Sequence, residues 1–86
     1  MKAITGTVSG KVQGVWFRKW VQQGCVPTGV SGYAKNLPDG RVEVLLVGSS
    51  QQVEACKPVV AKGSPGSQVT AVEWVELVEV PQIAGF

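Results

Sequence analysis

With 86 residues, 44% of them hydrophobic and 16% charged, the chain suits one small folded domain, residues 1–86, and is too apolar for disorder. Its net charge of +2 is too small, and its lysines and arginines are too scattered, to indicate a nucleic-acid partner. Neither a secretory signal nor an apolar run near the roughly 20 residues of a membrane span is visible, so we expect a cytoplasmic monomer with no membrane partner.

The N-terminal half predicts a strand followed by a helix. Residues 2–9 alternate loosely between apolar and polar side chains and are rich in β-branched residues, which favours a strand. After a glycine-containing run, Phe17, Trp20 and Val21 have the i, i+3, i+4 spacing of one helical face. Gly24 weakens this helix, and Pro27 ends or kinks it because its ring removes a backbone donor and crowds the preceding turn.

The middle of the chain predicts a hairpin and a second helix. Strand candidates 30–36 and 41–47 flank the sequence Leu-Pro-Asp-Gly, whose residue types favour a turn. Gly48-Ser49-Ser50 then offers an N-cap, and residues 51–62 form a helix that has Pro58 at an unfavourable interior position.

The last third predicts one long strand. Residues 63–67 have the composition of a loop, and the valine-rich stretch 69–80 predicts a strand with a bulge, because Glu73, Glu76 and Glu79 interrupt its alternation. Residues 83–86 have the composition of a short edge strand. The order strand, helix, strand, strand, helix, strand indicates an α+β fold, an antiparallel sheet with two helices on one face.

The run Gly10-Lys11-Val12-Gln13-Gly14-Val15-Trp16-Phe17-Arg18 lies where the first strand gives way to the first helix. Glycine lets backbone N–H groups converge on one point, and the helix N-terminus adds partial positive charge. Arg18 has a planar fork of donors that suits phosphate oxygens. The run is a candidate phosphate cradle, although by geometry alone a plain strand–helix connection is equally open.

Missing residue types exclude several chemistries. The chain has no histidine, which excludes imidazole zinc sites and Ser–His or Cys–His nucleophiles. Neither Cys25 nor Cys56 is followed by the arginine of a Cys-x5-Arg thiol phosphatase loop. No spacing brings three acidic residues together, so we expect no metal. We expect the cysteines to be buried or half-buried thiols rather than a disulfide, although a disulfide is possible.

Two motifs resemble the acylphosphatase family. The first, Gly10-x-Val12-Gln13-Gly14-Val15-x-Phe17-Arg18, matches at every defining position, and the second is Gly32-Tyr33-Ala34-Lys35-Asn36-Leu37-Pro38-Asp39-Gly40-Arg41-Val42-Glu43. The interval from Arg18 to Asn36 also fits. The resemblance covers most of the chain and fades toward its C-terminus. It implies a single acylphosphatase-like domain over residues 1–86 with a ferredoxin-like βαββαβ sandwich.

The resemblance also implies a function. The expected activity is metal-independent hydrolysis of a small-molecule acyl phosphate, without a cofactor, with inorganic phosphate or sulfate as a competing anion. Arg18 and the cradle, with Gln13, Gly14 and Val15, would bind the phosphoryl group, and Asn36 would orient the attacking water. The residue chemistry agrees, because a neutral amide can position a water and a carboxylate leaving group needs little protonation.

Other interpretations stay open. Asn36 could instead bond its own backbone at the hairpin. The domain could be a non-catalytic module that binds phosphate or carbamoyl phosphate, similar to the acylphosphatase-like module of hydrogenase maturation carbamoyltransferases. An RNA-binding module shares the topology, but residues 41–47 lack the stacking aromatics that it would need.

Overall fold

A computed structural model describes residues 1–86 and contains the predicted βαββαβ order. The elements are β1 (Lys2–Lys11), α1 (Phe17–Cys25), a 3-10 turn (Val26–Thr28), β2 (Ser31–Asn36), β3 (Val42–Gly48), α2 (Ser50–Lys62) and β4 (Gln68–Glu76). The strands form one antiparallel sheet in the order β2-β3-β1-β4. The predicted fold class is confirmed. No helix is both long and apolar enough to cross a bilayer.

The core lies between the sheet and the two helices. Alternate residues of the central strands β1 and β3 pack against the inner faces of α1 and α2. The strand and helix residues at this contact are almost fully buried: Ile4, Val8, Val42, Val44 and Leu46 from the strands, and Phe17, Val21, Val53 and Val60 from the helices. Burying one such side chain contributes about 1.5–3 kcal/mol. This layer therefore fixes the position of α1, and with it the start of that helix, against the sheet.

The opposite face of the sheet has a smaller apolar cluster. Ala3, Leu45 and Val47 are buried there, and Leu77 packs against them. Leu77 follows β4 directly, and its N–H donates to the carbonyl of Ala3 at 2.8 Å. Strand pairing ends at Glu76, and this hydrogen bond holds the first residue beyond β4 against β1.

The prediction of a strand up to Val80 was therefore wrong. Ile4 pairs with Glu76, and β1 begins only two residues before Ile4, so further residues of β4 would have almost no partner strand. A bulge is present, but not at the glutamates that suggested it: residues 71–76 pair with β1 in regular register, whereas Ser9 pairs with Ala71 and Gly10 with Val69, which leaves Thr70 as the extra residue.

The C-terminal residues 83–86 form no strand, contrary to prediction. They make single contacts with the domain rather than a ladder. The N–H of Gly32 in β2 donates to Gly85 O at 3.1 Å, and the side-chain amide of Gln22 donates to Phe86 O at 2.9 Å. Phe86 packs against the core.

A capping residue starts α2, and neither glycine nor proline ends the helices where they stand inside them. Ser49 forms a capping box with Gln52, and the hydroxyl of Ser49 accepts from the N–H of Gln52 at 3.1 Å. The helix α2 continues through Pro58 to Lys62. In α1 the helix runs past Gly24 to Cys25, and Pro27 lies in the 3-10 turn that follows.

Both cysteines are fully buried free thiols, as expected from the sequence. Cys25 ends α1 and Cys56 lies in the middle of α2. Desolvation, and secondarily the neighbouring Cys56, raises the pKa of the Cys25 thiol far above its usual value. Both thiols are buried, so they act as small apolar residues of the core, and the thiolate of Cys25 is disfavoured as a nucleophile.

A close contact between the helices explains Gly24. A Cβ atom at this position would overlap a methyl group of Val59 in α2. The indole N–H of Trp20, one turn earlier, donates to Val59 O at 3.0 Å. Glycine is thus required by the approach of α1 to α2, although it is a poor residue for the helix itself.

We predict that Gly24→Ala destabilises the domain by about 1–3 kcal/mol, the usual cost of overpacking. Alanine is favoured over glycine in a helix by about 1 kcal/mol, so helix propensity alone predicts the opposite sign. Urea unfolding measures the difference. In a Val59→Ala background, which removes the overlapping methyl groups, Gly24→Ala should become stabilising. A stabilising effect of Gly24→Ala in the wild-type background would contradict the contact.

Candidate anion-binding site

The backbone between β1 and α1 changes handedness twice within three residues. Gly14 has a φ of 73° and Trp16 a φ of 62°, while Val15 between them has a negative φ. Alternation of this kind turns successive N–H groups toward one side and forms an anion-binding nest. Trp16 is the only residue other than glycine with a positive φ.

The N–H groups of this segment are not used within the fold. The first backbone hydrogen bond of α1 runs from Trp20 N–H to Trp16 O at 2.9 Å, so the N–H groups of residues 17–19 have no intrahelical acceptor. No side chain caps this end of the helix, and its first turn has no acidic residue. Free donors and the positive end of the helix dipole together favour an anion.

Arg18 is the second residue of α1 and is exposed. It does not participate in any of the five ion pairs of the domain. It lines an open pocket of about 690 Å³ together with Val12, Gly14, Trp16, Phe17, Lys19, Gln22, Tyr33, Ala34, Asn36 and Phe86. None of these residues is acidic, so the positive charges of Arg18 and Lys19 are not neutralised within the pocket.

Asn36 reaches the same pocket from the sheet. It is the last residue of β2 and pairs with Val42 of β3, so it lies on the face of the sheet that the helices cover. Its side chain makes no hydrogen bond within the domain. The turn is stabilised instead by Asp39, whose Oδ1 accepts from Arg41 N–H at 3.0 Å. The alternative role of Asn36, a hydrogen bond to its own backbone at the hairpin, is therefore absent from the structure.

The Arg41 side chain completes that turn. Its Nε donates to Oδ2 of Asp39 at 2.6 Å. This hydrogen bond, together with the backbone bond, holds the pKa of the Asp39 carboxyl below its usual value. Asp39 is a turn residue, as predicted, and neither residue lines the pocket.

Gln13 connects the loop to the hairpin. Its side-chain Nε2 donates to Leu37 O at 2.8 Å and to Arg41 O at 3.0 Å, the carbonyls at either side of the turn. Leu37 directly follows Asn36, so this contact sets the distance between the loop and the Asn36 side chain. The Gln13 side chain is therefore occupied by protein groups, and only its backbone is free for the predicted binding role.

Three of the five candidate residues thus line one pocket, and two do not. Gly14, Arg18 and Asn36 are brought together, whereas Gln13 and Val15 lie beside the pocket. Val15 lines a neighbouring groove that also includes Ser64 and Pro65. A binding role for Gln13 and Val15 stays a prediction about their backbone N–H groups.

Two features of the site were not among the candidate site residues. The side chain of Trp16 is 76% exposed at the rim of the pocket, with the ammonium of Lys19 5.6 Å from the ring centroid. The hydroxyl of Ser64 donates to Val15 O at 2.9 Å. Ser64 stands 49 positions after Val15 in a loop of ordinary composition, so nothing in the sequence marked it.

The family model named acylphosphatase matches residues 4–86 of this chain. An acylphosphatase of Nitrosococcus oceani is 46% identical over 79 residues, which are 92% of this chain and 88% of that protein. The structure of an acylphosphatase from Coxiella burnetii superimposes with a TM-score of 0.90 at 35% identity, over 99% of this chain and 88% of that one.

A larger protein also contains a similar domain. Full-length HypF in its phosphate- and nucleotide-bound form matches with a TM-score of 0.74 at 26% identity. The match covers 88% of this chain but only 10% of HypF. This fold therefore occurs both in proteins of about this size and as one part of a much longer chain.

We predict that inorganic phosphate or sulfate binds in the loop from Gln13 to Arg18 and stabilises the fold. At one hundred times the dissociation constant, linkage gives an increase of about 2.7 kcal/mol in the free energy of unfolding. Thermal melts across a phosphate series measure this, with chloride at matched ionic strength as the control. The amide signals of Gly14 and Val15 should shift first. If melts and amides are both unchanged by phosphate, the loop is only a connection.

Proposed function

Because the chain belongs to the acylphosphatase family, we propose that it hydrolyses the carboxyl–phosphate bond of acyl phosphates, giving a carboxylate and inorganic phosphate. The observation that supports this most directly is the convergence of three features on one pocket. These are the free N–H groups after Gly14, the unpaired guanidinium of Arg18 and the unbonded amide of Asn36.

The phosphoryl group would be held by backbone and guanidinium donors together. The nest and the first turn of α1 supply N–H groups, and Arg18 supplies two parallel donors from its planar fork. Donors that are already oriented can stabilise the charge on the phosphoryl oxygens in the transition state without reorganising. No acidic side chain in the pocket opposes this charge.

Asn36 would orient the attacking water. An amide has both a donor and an acceptor, so it can hold a water in line with the bond that breaks, but it is too weak a base to deprotonate it. Because Gln13 ties the loop to the carbonyl next to Asn36, the water and the phosphoryl group would be held at a fixed separation. The contribution of Asn36 is therefore positioning.

The leaving group makes the other catalytic groups unnecessary. An acyl phosphate expels a carboxylate, which is stable without protonation, so no general acid has to act on it. This fits a pocket that has no histidine, aspartate or glutamate. The acyl group itself would lie toward Trp16, Tyr33 and Phe86, the apolar rim of the pocket.

A non-catalytic module that binds phosphate or carbamoyl phosphate is the second candidate, supported by the similarity to part of HypF. Both candidates predict phosphate binding, so turnover is the measurement that separates them. A cytoplasmic location and a monomeric state remain predictions of the sequence.

Release of inorganic phosphate from benzoyl phosphate by the purified protein tests the proposal. Acylphosphatase activity predicts a linear, enzyme-dependent rate above spontaneous hydrolysis, with competitive inhibition by phosphate. Phosphate binding without a rate above the spontaneous one would favour the binding module.

We predict that Arg18→Lys lowers kcat/KM by more than about tenfold, or ~1.4 kcal/mol, while the fold survives. Lysine keeps the charge but loses the planar pair of donors. Arg41→Lys is the matched control, because Arg41 is an exposed arginine at the turn and does not line the pocket. Circular dichroism checks folding. If Arg18→Lys retains more than a tenth of the activity, Arg18 is not the phosphate clamp.

We predict that Asn36→Ala lowers kcat by about 100-fold, the size of effect expected when a reacting group is no longer positioned, while the inhibition constant for phosphate changes little. The reason is that Asn36 contacts the water and not the phosphoryl group. Steady-state kinetics with phosphate inhibition separates these quantities, with the exposed Gln51→Ala as a control. An intact kcat with weakened phosphate inhibition would reverse the assigned role.

A further inference from the structure

Ser64 is the only buried polar residue of the domain, with 5% of its surface exposed. It lies in the loop between α2 and β4, far along the chain from the candidate site. A serine in a loop of this composition is ordinarily solvated, so its burial calls for a partner. That partner is the carbonyl of Val15, at 2.9 Å from the Ser64 hydroxyl.

The Ser64 backbone is held in place from its own loop. The N–H and the hydroxyl of Ser67 both donate to Ser64 O, at 3.0 and 2.8 Å. Because the Ser64 hydroxyl donates to Val15 O from this anchored backbone, the Val15 carbonyl has one defined orientation rather than a range of solvated ones.

The orientation of the Val15 carbonyl determines the φ angle of Trp16. The Val15 carbonyl and the Trp16 N–H belong to one planar trans peptide, so they point in opposite directions. Rotation of that peptide plane would change the φ of Trp16 from its strained value of 62° to a relaxed negative value. The same rotation would exchange the positions of the carbonyl oxygen and the N–H group.

We propose that Ser64 is a positioning residue that locks the Val15–Trp16 peptide with its N–H toward the bound phosphoryl group. Ser64 and Val15 line a groove that shares Trp16 and Lys19 with the pocket but includes neither Gly14 nor Arg18. The Val15 carbonyl bonds Ser64 on the side of this groove, and the Trp16 N–H of the same peptide points the opposite way. Without this bond, the strain at Trp16 favours the rotated peptide, which would place a carbonyl oxygen against the anion. The role rests on the proposed function, because it acts through the phosphate site.

The test compares Ser64→Ala with Ser64→Thr, which keeps the hydroxyl, and with Ser67→Ala. Ser67→Ala removes a hydroxyl of the same loop but leaves the Ser67 N–H on Ser64 O, so Ser64 should stay in place. A strong intraresidue NOE between the amide proton and Hα of Trp16 reports the positive φ without any substrate. Titration with inorganic phosphate reports the anion site. If Ser64→Ala does not fold, Ser64→Cys replaces it, because a thiol is similar in size and a weak donor.

The expected result is that Ser64→Ala weakens the Trp16 NOE and raises the phosphate dissociation constant about tenfold, the effect of losing one hydrogen bond of ordinary strength. The inhibition constant for phosphate and KM should rise by the same factor. The phosphate dissociation constants of Ser64→Thr and Ser67→Ala should stay within about threefold of the wild-type value.

Three results would overturn the proposal. If Ser64→Ala keeps both the NOE and the phosphate affinity, Ser64 does not lock the peptide. If the NOE is lost but phosphate affinity is unchanged, Ser64 holds the peptide but the Trp16 N–H is not part of the anion site. The proposed function is refuted by a different result, the absence of phosphate binding in the wild-type protein. If Ser67→Ala loses as much phosphate affinity as Ser64→Ala, Ser64 contributes only to the general stability of its loop.

Discussion

The left-handed backbone of Trp16 is the constraint on which the candidate site depends. For a residue with a Cβ atom this conformation costs about 1–2 kcal/mol, so the loop does not adopt it by local preference. The next residue, Phe17, is almost fully buried, and burying a phenylalanine side chain contributes about 1.5–3 kcal/mol. The core therefore fixes the start of α1, and the loop from β1 has to reach it through a strained residue.

Two hydrogen bonds from distant parts of the chain support this loop. Gln13 bonds the β2–β3 turn, and Ser64 bonds the Val15 carbonyl. Each bond contributes about 0.5–1.5 kcal/mol, which is comparable with the strain at Trp16. The loop is thus held by the sheet on one side and by the loop before β4 on the other. In the proposed reaction, this arrangement keeps backbone donors, guanidinium and amide in place before the substrate binds.

Local patterns predicted the elements, and tertiary contacts decided what those patterns could not. The spacing of Phe17 and Val21 predicted α1, and the turn residues predicted the hairpin. The end of β4 could not be predicted, because valines 78 and 80 have strand propensity but β1 offers them no partner. Arg18 and Asn36 could be predicted as candidates from two motifs, because a guanidinium suits phosphate oxygens and an amide can position a water. Ser64 could not be predicted, since it contacts the loop only through a hydrogen bond between residues 49 positions apart. The hydrogen bond of the Gln13 side chain likewise exists only once the hairpin has folded.

In the proposed reaction water attacks phosphorus, because the backbone N–H groups and Arg18 would hold the phosphoryl group beside the water that Asn36 would orient. Hydrolysis of benzoyl phosphate in water enriched in oxygen-18, followed by mass spectrometry of both products, tests this directly. The account predicts that one labelled oxygen enters inorganic phosphate and that benzoate stays unlabelled. Label in benzoate would mean attack at the carbonyl carbon and would contradict the account.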